Sequence, residues 1–176
     1  MKKIPLLLSA LAGVLAFAQT SPLVIQNYSA YNAEGRLRTS PISAPGPYMY
    51  AAPNIPYGSY TIPAGGFTQY NTFSTSGTAA YPITSWYVTD PTNPANNGTY
   101  AYTHPFIASV MNPSNVWAGF HFVLKDPVTQ NGVDTYQMGD PAVDPWFVNT
   151  ATGSVSSADW FTITTPSGPT TYLQIF

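Results

Sequence analysis

The spacing of apolar residues constrains the fold of this chain more than any other feature, because they recur at every second position. Residues 117 to 124 show the pattern most clearly, since bulky apolar side chains alternate there with other residues. Successive side chains of a β-strand point to opposite faces, so the alternation predicts a strand. Its two predicted faces are Ala118, Phe120, Phe122 and Leu124 on one side, and Trp117, Gly119, His121 and Val123 on the other.

Short runs of the same kind recur along the chain, and proline or glycine separates most of them, as is typical of strands joined by turns. No later window has the composition of a long helix. We therefore predict an all-β fold: a single antiparallel β-sandwich or flattened barrel of roughly nine to eleven short strands, without a substantial helix. The predicted strands are residues 22–28, 36–39 (after a turn at Glu34 and Gly35), 60–62, 67–73, 83–89, 99–103, 106–111, 117–124, 133–138, 146–149, 160–164 and 171–176.

The segment from residue 41 to residue 58 interrupts this pattern, because it contains five prolines and several tyrosines. Proline lacks the backbone donor that a strand needs, so we interpret the segment as a long ordered loop or a polyproline II edge. A stiff loop loses little entropy when it binds a ligand. We therefore predict that Tyr48, Tyr50 and Tyr57 are partly exposed and form an interaction surface.

The first 18 residues are predicted to be a cleaved signal peptide. Lys2 and Lys3 precede an apolar run over residues 4–17, and Ala16-Phe17-Ala18 is a small-x-small cleavage site. The apolar run is shorter than the roughly 20 residues that a membrane-spanning helix needs. We expect export of a single domain, residues 19–176, to the bacterial periplasm or the extracellular space, with no transmembrane segment.

Charged residues make up 7% of the chain, against roughly 25% in an ordinary soluble domain. Without Lys2 and Lys3, three of the five basic residues remain, against seven acidic ones. A chain with so few cations is not expected to bind nucleic acid, which requires a basic surface. The absence of cysteine excludes disulfides, thiol chemistry and cysteine-ligated metal sites.

The sequence does not single out catalytic residues. Its two histidines are His104 and His121, and no Gly-x-Ser-x-Gly motif accompanies them. We interpret both histidines as structural or surface residues and predict that the protein is not an enzyme. A secreted hydrolase that uses aspartate residues is an alternative, since paired carboxylates cleave glycosidic bonds in many enzymes.

Four aspartates, Asp126, Asp134, Asp140 and Asp144, form a weak candidate calcium site. Calcium takes six to eight oxygen ligands, which loops rich in aspartate can supply. Three of the four precede proline, however, and aspartate before proline is common in turns. We therefore expect no cofactor, with Ca²⁺ as the alternative.

Aromatic residues provide the functional prediction, since they make up 15% of the chain. Tyrosine combines a large ring with a hydroxyl group, which suits hydrated interfaces. We predict an exported, non-enzymatic β-sandwich that binds a glycan or a membrane-lipid headgroup through a neutral, aromatic-rich surface. The alternative is a self-associating structural protein of an extracellular layer, because few charges oppose pairing of its strand edges. The candidate binding residues are Tyr48, Tyr50, Tyr57, Tyr60, Trp117 and His121.

One short stretch is similar to a known family. Asn27 on an early strand, with Ile62-Pro63-Ala64-Gly65-Gly66 before another strand, resembles part of the aegerolysin-type β-sandwich proteins. Those proteins are small and acidic and bind membrane lipids, so the resemblance implies a β-sandwich with a lipid partner. Turns of this kind also precede strands in unrelated β proteins, and we assign no family from the stretch.

Overall fold

The computed structural model of the chain describes residues 21–52 and 60–176, so the predicted signal peptide and Tyr57 lie outside the described residues. No helix in the described part is long and apolar enough to cross a membrane. The described residues form twelve strands: β1 (Leu23–Asn27), β2 (Asn32–Pro41), β3 (Tyr48–Ala51), β4 (Tyr60–Ile62), β5 (Phe67–Tyr70), β6 (Ser85–Thr89), β7 (Gly98–Ala101), β8 (Asn115–Lys125), β9 (Gly132–Gly139), β10 (Thr150–Thr152), β11 (Ser157–Thr165) and β12 (Gly168–Ile175).

These strands form two sheets that pack face to face. The five-stranded sheet has the order β10-β11-β12-β1-β5, and the seven-stranded sheet has the order β7-β6-β3-β2-β8-β9, with β4 also paired to β2. Neighbouring strands are antiparallel except β1 and β12, which run parallel. The predicted all-β sandwich is confirmed, and the two sheets do not close into a barrel.

Aromatic rings fill the centre of the core between the sheets. Phe73 lies edge-on to Trp117 with ring centres 4.7 Å apart, and Trp86 and Tyr70 lie 5.9 and 5.8 Å from Trp117. The indole N–H of Trp117 donates to the carbonyl of Ser21 at 2.9 Å, which satisfies its polar atom inside the protein. These rings supply the apolar volume that leucine provides in most cores.

A β-bulge places Trp117 in that core, against the prediction from simple alternation. Arg38 pairs with Gly119, whereas Thr39 pairs with Trp117, so Ala118 is an extra residue on β8. A bulge shifts the alternation by one position. Trp117 is therefore 3% exposed, and it shares the core face with Phe120 instead of the outer face with His121.

Residues 106–111 are helical, so the strand predicted there is wrong. A π-helical turn covers Ile107–Met111 and continues into a short α-helical turn at Asn112–Ser114. Ile107 and Met111 are both buried, and their spacing of four residues suits one side of a helical turn. In a run of six residues, apolar spacing alone does not distinguish the period of two of a strand from the period of 3.6 of a helix.

Three smaller predictions about β2 and its neighbours also need correction. The turn expected at Glu34 and Gly35 lies inside β2, where a Cβ on Gly35 would collide with the carbonyl oxygen of His121. Glycine is required there by the close approach of two strands and not by a turn. Part of the predicted proline-rich loop, Tyr48–Ala51, forms β3. The strand predicted at residues 146–149 is reduced to a single bridge between Val148 and Met138.

An arginine groove on the outer face of the seven-stranded sheet

The candidate site is a groove on the side of the seven-stranded sheet that faces away from the core. It has a volume of about 350 Å³, within the range typical of small-ligand sites. We call it the arginine groove. Its lining residues are Arg36, Arg38, Tyr50, His121, Trp146 and Phe147.

The alternation of β2 places both arginines on this outer face. Leu37 between them is fully buried in the core, so Arg36 and Arg38 point outward. Arg36 is exposed and lies opposite His121 of β8. Two strands thus bring two guanidinium groups and one imidazole to the same surface.

Arg38 is held in place by rings on one strand and by a carboxylate on a loop. Its guanidinium carbon lies 5.1 Å from the ring centre of Tyr48 and 5.7 Å from that of Tyr50, within cation–π distance. Its Nη1 donates to Oδ2 of Asp144 at 2.8 Å. Its Nε is buried and has no hydrogen-bond partner among the described residues. The group therefore has a fixed position and an unused donor.

The loop of residues 140–149 forms one wall of the groove, and Phe147 anchors it to the sheet. Phe147 is 1% exposed because it lies against Gly119 and Gly139, which are paired across β8 and β9. A Cβ on Gly119 would lie 2.6 Å from Cδ1 of Phe147, and a Cβ on Gly139 would lie 2.8 Å from its Cγ. The two glycines thus provide the space that the ring occupies.

Trp146, next to this anchor, is presented to solvent. Its indole is 48% exposed and stands edge-on to His121, with ring centres 5.1 Å apart. The backbone N–H of Trp146 donates to Oδ1 of Asp144 at 3.1 Å. Asp144 therefore links the tryptophan turn to Arg38, since its other oxygen pairs with that guanidinium.

Burial sets the protonation of the two other polar groups in the groove. Burial, together with the charge of Arg36, lowers the pKa of His121, so its imidazole is neutral at pH 7. Burial also raises the pKa of Tyr50, and the charge of Arg38 offsets this only in part. The Tyr50 phenol therefore stays protonated and is a hydrogen-bond donor.

The structure brings three of the predicted binding residues to this surface. Tyr48 and Tyr50 are half-buried on the outer face of β3, and His121 lines the groove. Tyr60, at 2% exposure, and Trp117 are buried in the core and offer no ring to a surface ligand, which corrects their prediction as binding residues. Tyr57 lies outside the described residues.

Four groove residues were not predicted from the sequence: Arg36, Arg38, Trp146 and Phe147. The sequence contained a signal for the two arginines. Arg36-Leu37-Arg38 alternates charged and apolar residues, which places both arginines on one face of a strand in a chain with few cations. The position of Phe147 depends on a contact between a loop and two distant glycines, and a pattern of local spacing does not contain that contact.

The four candidate calcium ligands are not brought together. Among the described residues, no three histidine, aspartate or glutamate side chains form a group that could hold a metal ion. Each aspartate has its own local partners: Asp126 accepts from the backbone of Val128, Asp140 from Ala142, Asp144 pairs with Arg38, and Asp134 accepts from Ser154 and Ser156.

Comparisons with known protein families, with curated proteins and with solved structures find no match to this chain. Its function must therefore be inferred from the groove itself.

Proposed function

We propose that this chain is an exported, non-enzymatic glycan-binding protein and that the arginine groove is its binding site. The observation that carries the proposal is the half-exposed indole of Trp146, held beside two guanidinium groups in a groove of about 350 Å³. An aromatic ring next to charged and polar donors can contact both the apolar C–H face of a sugar and its hydroxyl groups.

A pyranose ring has an apolar C–H face and a rim of hydroxyl groups. The C–H face packs against an aromatic surface such as Trp146, and the hydroxyls bond to donors and acceptors around it. The groove offers the Tyr50 phenol, the neutral imidazole of His121 and the guanidinium of Arg38 for that purpose. Because strands and an anchored loop hold these groups, binding orders few side chains.

The composition of the groove supports binding rather than catalysis. Its described lining residues include no carboxylate, no serine or threonine hydroxyl and no thiol. Glycoside hydrolysis generally uses a pair of carboxyl groups. The carboxylate beside the groove, Asp144, is engaged by Arg38.

A panel of soluble polysaccharides tests the proposal, with Trp146→Ala as the key variant. We expect the purified protein, residues 19–176, to bind a member of the panel and Trp146→Ala to weaken binding about tenfold or more. Phe67→Ala is the matched control, since Phe67 is a 54% exposed ring on the other sheet. No glycan binding by the wild-type chain, or equal losses in both variants, would contradict the proposal.

Vesicles form a parallel arm of the same experiment. Co-sedimentation with phosphatidylcholine or phosphatidylglycerol vesicles, without binding to any polysaccharide, would replace the glycan by a lipid headgroup as the ligand.

Self-association is the second candidate, and the outer face of the five-stranded sheet favours it. At one end of this face Tyr28 and Phe176 are stacked 5.6 Å apart, and both are about half exposed. Phe67 and Ile163 are exposed on the same sheet. Light scattering at increasing concentration tests this candidate: a Tyr28→Ser/Phe67→Ser variant should dissociate any oligomer, and a strict monomer at millimolar concentration would exclude it.

A further inference from the structure

The cations of the described residues are distributed very unevenly. All three, Arg36, Arg38 and Lys125, lie on β2 and β8 and belong to the outer face of the seven-stranded sheet. Lys125 pairs with Glu34 at 2.9 Å, and neither residue lines the arginine groove. Both arginines line the groove, its described lining residues include no carboxylate, and Asp144 pairs with Arg38 at the groove wall. A slightly acidic protein thus has a locally positive binding site.

We propose that the ligand of the arginine groove is a carboxylated glycan, such as a uronic acid polymer, and that Arg36 and Arg38 bind its carboxylate. This inference rests on the proposed function and specifies its ligand class.

The state of Arg38 supports a carboxylate in particular. Its planar guanidinium already binds the carboxylate of Asp144 through Nη1 at 2.8 Å. Its Nε is buried and out of a ligand's reach, but the side chain is 23% exposed and lines the groove, so the outer part of the guanidinium is accessible there. A guanidinium presents five donors in a flat fork that matches the two oxygens of a carboxylate. The geometry therefore leaves donor capacity for a second carboxylate beside that of Asp144.

Arg36 supplies the second cation, since it lies two residues before Arg38 on β2. Residues two apart on a strand are about 6.6–7 Å apart, and their side chains share a face. A ligand carboxylate between the two side chains would contact both charges, while its sugar ring reaches Trp146 across the groove. Both arginines and Trp146 line the same groove.

Asp144 acts as an internal competitor in this arrangement, since its carboxylate occupies one edge of Arg38. Replacing it with asparagine removes a negative charge from the groove wall while keeping the acceptor for the backbone N–H of Trp146. We expect Asp144→Asn to bind a carboxylated glycan about 3-fold to 10-fold more tightly.

Calorimetry with matched polysaccharide pairs tests the inference. The probes are polygalacturonate, alginate and hyaluronan, each against its carboxyl-reduced or methyl-esterified form, with neutral glycans alongside. We expect the wild-type chain to bind at least one acidic polymer about tenfold more tightly than its uncharged form. Arg36→Gln should weaken that binding about tenfold, and Arg38→Lys, which retains charge but loses the fork, should also weaken it.

Lys125→Gln is the matched control, because it removes the same charge from the same sheet outside the groove. An equal loss in Lys125→Gln and Arg36→Gln would indicate general electrostatic attraction and overturn the inference. Arg36 is exposed, so its replacement is expected to fold even where an Arg38 variant does not.

The remaining outcomes separate the two proposals. Equal affinity for acidic and uncharged forms, with Trp146→Ala still impaired, overturns the carboxylate inference and leaves glycan binding standing. Binding to no polysaccharide, or only to phosphatidylglycerol vesicles, overturns both.

Discussion

The two outer faces of the sandwich differ sharply, although the strands of both sheets contribute apolar residues to one core. The outer face of the seven-stranded sheet has all three cations of the described residues, together with His121 and the half-exposed Trp146. The outer face of the five-stranded sheet has no cation among the described residues and consists mainly of uncharged polar groups and rings: Gln26 bonds to Gln174 at 2.7 Å, and Phe161 stacks on Tyr172 at 5.3 Å.

The difference shows where a chain with few charges places them. Core-facing positions of both sheets are apolar because burial requires it, so they resemble each other. Outward positions are free of that requirement. There the seven-stranded sheet has ion pairs that involve Arg38 and Lys125, while the five-stranded sheet has mainly glutamine, threonine and aromatic rings, with Asp159 as a charged residue. Specific recognition is therefore expected on the first face and weak, non-directional contact on the second.

The largest expected contrast between the faces concerns two phenylalanines. Phe147→Ala removes a ring buried against Gly119 and Gly139, and we expect a loss of about 3–5 kcal/mol in the free energy of unfolding. Phe161→Ala removes a partly exposed ring from the five-stranded face, with an expected loss of about 1 kcal/mol. Urea denaturation measures both values. Similar losses would mean that the 140–149 loop is not anchored as described.

A second contrast compares two aspartates. Asp90, at the end of β6, accepts hydrogen bonds from Thr92, Asn93 and Asn96, whereas Asp159 lies on the five-stranded face without an ion pair in the described part of the chain. We expect Asp90→Ala to cost about 2 kcal/mol near pH 7 and Asp159→Ala less than about 0.5 kcal/mol.

The cost of Asp90→Ala should also depend on pH. Hydrogen bonds from the side chains of Thr92 and Asn96 lower the pKa of Asp90 from 3.8 to about 2. A carboxylate with a lowered pKa stabilises the folded state above its unfolded pKa, and that contribution disappears as the pH falls through its folded pKa. The difference between wild type and variant should therefore shrink between about pH 4 and pH 2. A difference independent of pH in unfolding experiments would refute this account.

A smaller effect is expected from the ion pair of the groove. Arg38 and Asp144 have side chains that are 23% and 15% exposed, against 30% and 27% for Lys125 and Glu34. A double-mutant cycle with Arg38→Gln and Asp144→Asn should give a coupling of about 1 kcal/mol, and the Lys125–Glu34 cycle about 0.5 kcal/mol or less. The reverse order would show that Asp144 does not hold Arg38.

The smallest effect is the pH dependence of ligand binding. His121 faces Arg36 on β2, Gln137 on β9 and Trp146 on the loop, and burial with the charge of Arg36 lowers its pKa. A carboxylated ligand favours the protonated imidazole, so affinity should rise by about 3-fold as the pH falls through the lowered pKa of His121, a rise that begins below the ordinary imidazole range. Calorimetry with His121→Gln should show no such rise, and an unchanged slope would assign the effect to another group.

Much of the fold was predictable because alternation is a local property. The runs at 23–27, 60–62 and 132–139 became strands near the expected positions, and the residues facing inward were those that burial selects. The errors came where local patterns have two meanings: the spacing of Ile107 and Met111 fits a helical turn as well as a strand, and Gly35 marks a close strand contact as well as a turn.

The candidate site was predictable only in part. Tyr48, Tyr50 and His121 were identified because their chemistry is visible in single residues, and the structure places all three on one face. Trp117 was misplaced because one extra residue, Ala118, reverses the face of every residue before it.

The sequence alone determined the class of this protein. An apolar period of two with frequent proline and glycine leads to strands and turns, because backbone geometry fixes which side chains share a face. Tertiary structure decided where the charges meet. The pairing of β2 with β8 and the contact of Phe147 with two glycines bring Arg38 together with Asp144 and Trp146, which lie more than 100 residues later in the chain. Such contacts arise only when the chain folds.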